Sequence, residues 1–286
     1  ALRKIGRRTP AAATQTILMG LSGAFIFAAQ MFNFPVAAGT SGHLLGGVLA
    51  GFLLGPWAGS IVMTTVVGTQ ALLFQDGGLL ALGANIFNMG VIGSLGGSLL
   101  ARGTATALGG GRRATLFGIG LAAWLSVMAA AGVTTLQLGL SGTTDIGIGL
   151  PAMLGTHALI GVGEALISVA AVSFIAVTAP EIYSKSAPPT AVSWRRRVAV
   201  GLAVVGATAG AASLFASASP DGLERVATDL GFADQSAAAP FELFAGYSIP
   251  GLDGAQGGIV ASAIGVAAVI LVIVALTRLA ASRKES

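Results

Sequence analysis

The sequence predicts an all-α polytopic membrane protein, a helical bundle with about seven to eight spans and a small extracytoplasmic loop domain. Only 9% of its residues are charged and its mean hydropathy is +0.86, whereas soluble domains carry roughly 25% charged residues. Glycine is abundant, with 43 residues, and small residues let helices approach closely in lipid. The charged residues are also sorted along the chain as alternating loops on two sides of a membrane would require.

Eight apolar stretches are candidate spans. The second is too short to cross a hydrocarbon core of about 30 Å as a straight helix, and it ends at Gly55 and Pro56, where proline prevents simple continuation. A short helix at membrane depth must be sheltered by protein or line a cavity. The eight stretches are residues 14–34, 43–55, 57–74, 79–101, 114–136, 150–178, 198–217 and 257–277.

The charge distribution predicts the orientation. Fourteen of the fifteen basic residues fall in segments that one alternating topology places on a single side, and Arg225 is the exception. Eight of the eleven acidic residues fall on the other side, and Glu164 lies inside an apolar stretch. Loops rich in Lys and Arg stay cytoplasmic, so both ends of the chain are expected in the cytoplasm. The cytoplasmic segments are then residues 3–8, 102–113, 185–197 and 278–284.

The chain is expected to divide at a basic, proline-containing linker. Residues 1–184 form a transmembrane domain, residues 185–197 form a cytoplasmic linker, and residues 198–286 form a two-span hairpin with an acidic outer loop, residues 218–256. The pI of 10.1 comes from dispersed loop residues, so the expected partner is the lipid bilayer and not nucleic acid. The absence of cysteine excludes a disulfide framework and a thiolate metal site.

Two histidines and one buried acid are the main candidates for chemistry. His43 opens the short stretch, and a neutral imidazole is a common transition-metal ligand; the alternative is a helix start capped by Thr40 and Ser41. His157 and Glu164 are seven residues apart, about two helical turns, so they face the same side. Glu164 faces a partner or cavity, or it is an interhelical hydrogen-bonding group. For His157 a packed interhelical hydrogen bond is favoured.

Four amide side chains also lie within apolar stretches, and their default role is hydrogen bonding between helices. Lining a substrate path is the alternative. These residues are Asn33, Gln70, Asn85 and Asn88.

Several catalytic patterns are missing from the sequence. It has no Gly-rich loop ending in Gly-Lys-Ser/Thr, no His-Glu-x-x-His, and no serine nucleophile elbow. No catalytic residue is therefore assigned, and transport or ligand capture is the leading class. Two alternatives remain at this point. One is a membrane-embedded metalloenzyme that uses His43, His157 and Glu164, and the other is a structural scaffold of a transporter complex.

Several motifs resemble the substrate-capture membrane subunit of cobalt and nickel energy-coupling-factor transporters. They occur in the family's order over the first six stretches, and the tail looks like the two-span accessory component that is fused to the capture subunit in some systems. The capture motifs are residues 27–35 (FAAQMFNFP), 39–44 (GTSGHL), 70–78 (QALLFQDGG), 83–89 (GANIFNM) and 157–164 (HALIGVGE); the accessory motifs are residues 219–224 (SPDGLE) and 247–252 (YSIPGL).

The resemblance implies uptake of Co²⁺ or Ni²⁺ across a bacterial cytoplasmic membrane, with the metal as transported ligand and no cofactor. The implied partners are a transmembrane coupling subunit and two cytoplasmic ATPases. The family's metal site uses the terminal amine, a histidine at the second position and the histidine of the Thr-Ser-Gly-His loop. Only the last carries over, onto His43. Position 2 is Leu2, so the remaining ligands are expected on an N-terminal span missing from this sequence.

The resemblance also leaves lesser roles for the polar residues around His43. Thr40, Ser41, Asn85 and Asn88 are candidates for a second shell or a cavity wall. Because a histidine must be deprotonated to bind metal, weaker capture is expected at low pH.

Overall fold

The structure, a computed structural model, describes residues 10–37, 39–180, 193–235, 241, 243–252 and 254–282. Within them the chain forms nine helices, two 3₁₀ turns and a two-stranded sheet. The predicted segment 3–8, residues 185–192 of the predicted linker and residues 283–286 lie outside the described residues. The helices are α1 (Pro10–Gln30), α2 (Gly47–Leu54), α3 (Pro56–Phe74), α4 (Leu82–Ala107), α5 (Gly111–Leu140), α6 (Ile146–Thr178), α7 (Trp194–Phe215), α8 (Gly222–Asp229) and α9 (Gly254–Ser282).

Six helices, α3 to α7 and α9, are long and apolar enough to cross a membrane, so the protein is a polytopic helical membrane protein. Helix α2 has only 8 residues, as the second apolar stretch predicted. Helix α1 has 21 residues and packs beside α3, α7 and α9. Each of the eight predicted stretches thus contains a helix, six of which have the length and hydropathy of a span.

The helix boundaries differ most from prediction around the basic segment 102–113. Helix α4 continues to Ala107 and α5 begins at Gly111, so only residues 108–110 connect them. Because an α-helix satisfies its own backbone hydrogen bonds, α4 and α5 can extend beyond their apolar residues into the basic segment. It is the left-handed glycines Gly109 (φ +83°) and Gly110 (φ +76°) that end the helix.

Helix α2 is enclosed by the helices of the first domain. It packs against α1, α3, α4, α5 and α6, and glycines reverse the chain at both ends, Gly46 with φ +76° and Gly55 with φ +87°. In the C-terminal half of α2, the Phe52 carbonyl accepts from Arg102 of α4 (2.5 Å), and the Arg102 guanidinium lies 4.9 Å from the centre of the Phe52 ring. A cation at this end complements the helix dipole.

The C-terminal hairpin packs directly on the first domain. Helix α9 lies against α1 and α3, and α7 lies against α1 and α9. Phe27 of α1 is fully buried in a core that includes Val269 and Ile273 of α9. The loop between α7 and α9 makes two further contacts: α8 packs on α6, and the 3₁₀ turn Ala245–Tyr247 packs on the C-terminal end of α3.

That second contact is an aromatic cluster. The Tyr247 ring stacks on Phe74 with a centroid distance of 4.7 Å, and Phe27 and Phe244 pack around the same pair. The Phe244 amide also donates to the Leu73 carbonyl (3.0 Å). The loop between α7 and α9 is thereby attached to the end of α3 by backbone and side-chain contacts together.

Candidate metal-capture site

The loop that carries His43 begins as a tight hairpin. Phe34–Pro35 (β1) pairs antiparallel with Ser41–Gly42 (β2). The Thr40 carbonyl accepts from the Val36 amide (2.8 Å). Thr40 and Ser41 are both buried, and the hairpin leads into His43, four residues before α2 begins.

The imidazole of His43 is half-buried, and its Nδ1 lies 3.1 Å from the Leu44 carbonyl oxygen. A carbonyl oxygen can only accept a hydrogen bond, so Nδ1 carries the proton and Nε2 carries the lone pair. Among the described residues nothing hydrogen-bonds to Nε2. This is the arrangement that a histidine ligand adopts, with one ring nitrogen held by a carbonyl and the other free for metal.

Glu164 of α6 contacts the same loop. Its side chain is fully buried; Oε2 accepts from the Leu45 amide (2.6 Å) and Oε1 accepts from the Gly46 amide (2.9 Å). A carboxylate at the N-terminus of α2 is also favoured by the helix dipole. The Glu164 carboxylate thus hydrogen-bonds to the backbone that follows His43, and not to a side chain of another helix.

His157 lies on the same face of α6 as Glu164, as the seven-residue spacing predicted. Its Nδ1 is 2.8 Å from the Met153 carbonyl, four residues earlier on the helix. His157 interacts electrostatically with His43 and with Asp221, and His43 interacts likewise with Glu164. The structure therefore brings both histidines and the buried carboxylate into one region.

The loop between α7 and α9 packs against this region. The Ser41 amide donates to the Pro220 carbonyl (2.8 Å), and Ser41 Oγ donates to the Ser219 carbonyl (2.7 Å). Gly222 lies so close to α6 that a Cβ there would be 2.8 Å from His157 Cε1. Ser41 is thus a docking residue for the Pro-Asp-Gly segment, and sequence reasoning did not foresee this contact.

Arg225, the one basic residue predicted on the outer side, belongs to α8 and pairs with Asp229 four residues later (2.9 Å). The pair is exposed, with 40% and 53% of the side chains accessible, so it contributes little to stability. The exception to the charge sorting is a local helix pair within the acidic loop.

The predicted amide residues have separate roles. Asn85 Nδ2 donates to the Gly77 carbonyl (2.8 Å) in the turn between α3 and α4. Asn88 is buried and donates to Thr134 and Gln137 of α5, which is the interhelical role expected by default. Neither hydrogen-bonds to the His43 loop.

Gln70 and Asn33 contact the C-terminal part of the chain instead. Gln70 Nε2 donates to the Tyr247 hydroxyl (3.3 Å), and the Asn33 backbone carbonyl accepts from the Ser217 amide (2.7 Å). Gln70 therefore belongs to the aromatic cluster at the end of α3, away from the hydrogen bonds of His43.

Sequence analysis did not single out two residues that make important contacts in the structure. Gln30, at the end of α1, donates from Nε2 to the Leu45 carbonyl (2.8 Å), and it is nearly fully buried. Tyr247 donates its hydroxyl proton to Asp76 (2.6 Å). Gln30 stands inside one of the quoted motifs, so its position between apolar residues was the available indication.

Within the part of the chain that the structure describes, no group of three or more His, Cys, Asp or Glu side chains is placed to hold a metal ion. His43 contributes one free imidazole nitrogen, and both oxygens of Glu164 are committed to backbone amides. Of these two residues, only His43 therefore offers a free ligand atom to a metal ion.

Comparison with known proteins identifies the family. Residues 1–182 match the cobalt uptake substrate-specific transmembrane region (CbiM), and residues 195–282 match the PDGLE domain. The chain belongs to the CbiM family. The resemblance that the sequence motifs indicated is confirmed, including the second component at the C-terminus.

Relatives of the chain are transport proteins. A putative fused nickel transport protein, NikMN, of Archaeoglobus fulgidus is 36% identical over 273 residues, which cover 93% of this chain and 87% of that protein. The cobalt transport protein CbiM of Desulforamulus reducens is 38% identical over 125 residues, 44% of this chain and 48% of that protein. A solved structure of a transition metal transporter superposes with a TM-score of 0.51 at 33% identity, covering 63% of this chain and 82% of that one.

These findings define the class of activity. The CbiM-family chain is the substrate-specific transmembrane component of a cobalt or nickel uptake transporter and is not an enzyme. The alternative of a membrane-embedded metalloenzyme is therefore set aside.

Proposed function

We propose that this protein captures Co²⁺ or Ni²⁺ at the outer face of the membrane, with His43 as a direct ligand. The observation that carries the proposal is the geometry of His43: Nδ1 is held by a carbonyl, Nε2 is free, and the ring stands just before the N-terminal end of a short helix. Imidazole nitrogen suits both metals. The metal is then released inward, driven by ATP hydrolysis in a coupling subunit and two cytoplasmic ATPases.

The proposed topology has about seven to eight spans in a bacterial cytoplasmic membrane, with α1 as the seventh and the short α2 as a partial eighth. Both ends of the chain are cytoplasmic. The charge sorting supports this orientation, because Arg102, Arg112 and Arg113 lie at one end of α4 and α5 while Asp76 and Asp145 lie at the other. His43 is then on the acidic, outer side.

A motif that the sequence lacks supports the proposal that partner subunits hydrolyse ATP. The chain has no phosphate-binding loop, so ATP hydrolysis must take place on other subunits. The fused nickel transport protein of Archaeoglobus fulgidus and the cobalt transport protein of Desulforamulus reducens support a transition metal as substrate, and they are compatible with either ion.

Metal accumulation in cells tests the proposal. Cells that lack other uptake routes would express the protein with its transporter partners, and cell-associated nickel and cobalt would be measured by mass spectrometry. We expect His43→Ala to abolish accumulation. Asn85→Ala is the matched control, because Asn85 is also a polar residue near the outer side but binds the turn at Gly77; it is expected to retain accumulation.

Two results would contradict the proposal. Undiminished accumulation in His43→Ala would remove His43 from the capture step. Assembly of the complex without any metal accumulation in the wild-type cells would favour the alternative of a structural scaffold.

A further inference from the structure

We propose that Glu164 fixes the ring orientation and tautomer of His43 through the peptide group that joins Leu44 to Leu45. Glu164 is in this view a positioning residue, which acts on the metal ligand without touching the metal. The inference deepens the proposed function and rests on it, because it gives His43 the role of ligand.

The first step is that Glu164 has no oxygen left for a metal ion. Oε2 accepts from the Leu45 amide and Oε1 accepts from the Gly46 amide, and the side chain is fully buried. A buried carboxylate needs such partners to be tolerated. Both of its oxygens are therefore directed at the loop backbone.

The second step is the continuity of the hydrogen bonds. The Leu45 amide and the Leu44 carbonyl belong to the same planar peptide group. Glu164 binds the N–H of this group, and the Nδ1–H of His43 donates to its carbonyl oxygen (3.1 Å). The carboxylate draws the peptide proton, which makes the carbonyl a stronger acceptor for the imidazole proton. The sequence carboxylate, peptide, imidazole leaves the lone pair on Nε2.

The third step is that the next peptide group is held in the same way. The Leu45 carbonyl accepts from Gln30 Nε2 (2.8 Å), and the Gly46 amide of that peptide donates to Glu164 Oε1. Two consecutive peptide groups are thus fixed from α1 on one side and from α6 on the other. The plane that receives the His43 proton cannot rotate without breaking these bonds.

The fourth step is that packing leaves the loop little room to move. A Cβ at Gly42 would lie 2.7 Å from Ile160 of α6, and one at Gly46 would lie 2.7 Å from Ile26 of α1. The backbone on both sides of His43 therefore touches the two helices that supply Glu164 and Gln30. Position and orientation of the imidazole are set by the same pair of helices.

The experiment uses nuclear magnetic resonance of the full chain labelled with ¹⁵N-histidine, first without metal. The chain has two histidines, so His157→Ala identifies the His43 signals. At about pH 8, where an ordinary imidazole is neutral, we expect wild-type His43 to be protonated at Nδ1. In the isosteric variant Glu164→Gln an amide faces two N–H donors with a single acceptor oxygen, and His43 is expected to become a mixture of tautomers.

A Ni²⁺ titration of the same proteins provides the second readout. We expect Glu164→Gln to bind about tenfold to a hundredfold more weakly, the range for groups that orient a metal ligand, with a shifted Ni²⁺ d–d absorption. Ser168→Ala is the matched control: Ser168 is one turn further along α6, is fully buried, and has no hydrogen bond to the loop. It is expected to bind as the wild type does.

The outcomes separate the two proposals. If wild-type His43 is protonated at Nε2, or if its tautomer and the Ni²⁺ affinity are the same in Glu164→Gln as in Ser168→Ala, the role of Glu164 is refuted. The first of these results is read from the wild type alone, so the role of Glu164 can be refuted even if Glu164→Gln does not fold. If Glu164→Gln changes the tautomer while His43→Ala binds Ni²⁺ normally, the positioning is correct and the assignment of His43 as ligand fails.

Discussion

Three polar side chains bond to the backbone of a neighbouring segment and not to their own helix. Glu164 accepts from the amides of Leu45 and Gly46, and Gln30 and Trp124 donate to the carbonyls of Leu45 and Ala158. Lipid offers no hydrogen bonds, so a side chain whose contact is broken there finds no replacement partner. Single polar residues therefore determine where loops and helix ends lie in this protein.

Tyr247 is central to the contact between the α7–α9 loop and the end of α3. In Tyr247→Phe the hydroxyl bonds to Asp76 and Gln70 are lost while the stack on Phe74 is kept. Because Asp76 is exposed and water can replace the tyrosine, we expect a loss of about 1 kcal/mol. Tyr247→Ala also loses the ring contacts and is expected to lose about 3 kcal/mol. Thermal unfolding of the full chain measures both, and equal losses would contradict this division.

Alkaline pH tests the same hydroxyl. Burial, together with the neighbouring carboxylate of Asp76, raises the pKa of Tyr247 well above its usual value. Its contribution to stability is therefore fully present below about pH 10, the ordinary tyrosine pKa, and is lost as the pH rises through the raised pKa. The difference in unfolding free energy between wild type and Tyr247→Phe should be constant between about pH 6 and 9 and shrink above that. A difference that already shrinks in the neutral range would refute the assignment.

At the scale of elements, α2 is a short helix with a charged group near each end. Glu164 binds the backbone at its N-terminal end, and Arg102 donates to Phe52 near its C-terminal end. Both charges complement the helix dipole. A helix of 8 residues is too short to be stable by itself, so its neighbours must hold it in place.

Close packing of α2 against α4 is the second requirement, and Gly51 tests it. A Cβ at Gly51 would collide with the Ser94 carbonyl oxygen and lie 2.8 Å from Ser98. We expect Gly51→Ala to destabilise the protein by about 1–3 kcal/mol, the usual range for overpacking. Gly68→Ala is the control, since a Cβ there meets nothing within 4 Å. Equal melting temperatures for the two variants would show that α2 does not pack as closely as described.

At the scale of the whole molecule, the two family components form one packed unit. Helix α9 contributes Val269 and Ile273 to the core around Phe27. The loop between α7 and α9 contacts both the His43 loop, through Ser41, and the end of α3, through Tyr247. The C-terminal component therefore lies over the candidate site, and it is joined to the first domain through its helices as well as through its loop.

The orientation of the molecule can be tested with single cysteines, because the chain has none of its own. Leu108 is an exposed residue between α4 and α5, and Ser141 is an exposed residue at the other end of α5. A membrane-impermeant maleimide added to intact cells is expected to label Ser141→Cys, and to label Leu108→Cys only after permeabilisation. The reverse pattern would contradict the orientation derived from the charges.

Much of the fold could be predicted from the sequence, because lipid imposes simple rules on length and hydropathy. The eight apolar stretches and the short second helix were found in this way. The site was only partly predictable. His43, His157 and Glu164 were recognised as unusual groups at membrane depth, but hydrogen bonds between residues 118 or 119 positions apart, such as those from Gly46 and Leu45 to Glu164, follow from tertiary packing and leave no periodic pattern. The same holds for Ser41 with Pro220 and for Tyr247 with Asp76.

Equilibrium binding of Ni²⁺ to the purified protein is the most direct test of the central claim, that His43 is the metal ligand of this capture component. Wild type and His43→Ala would be titrated side by side, with Asn88→Ala as the control, because Asn88 bonds only to α5 among the described residues. We expect loss of a direct ligand to weaken binding at least about a hundredfold, beyond the effect of an orienting group, while the control binds as the wild type does. Equal affinity of His43→Ala and wild type would contradict the account.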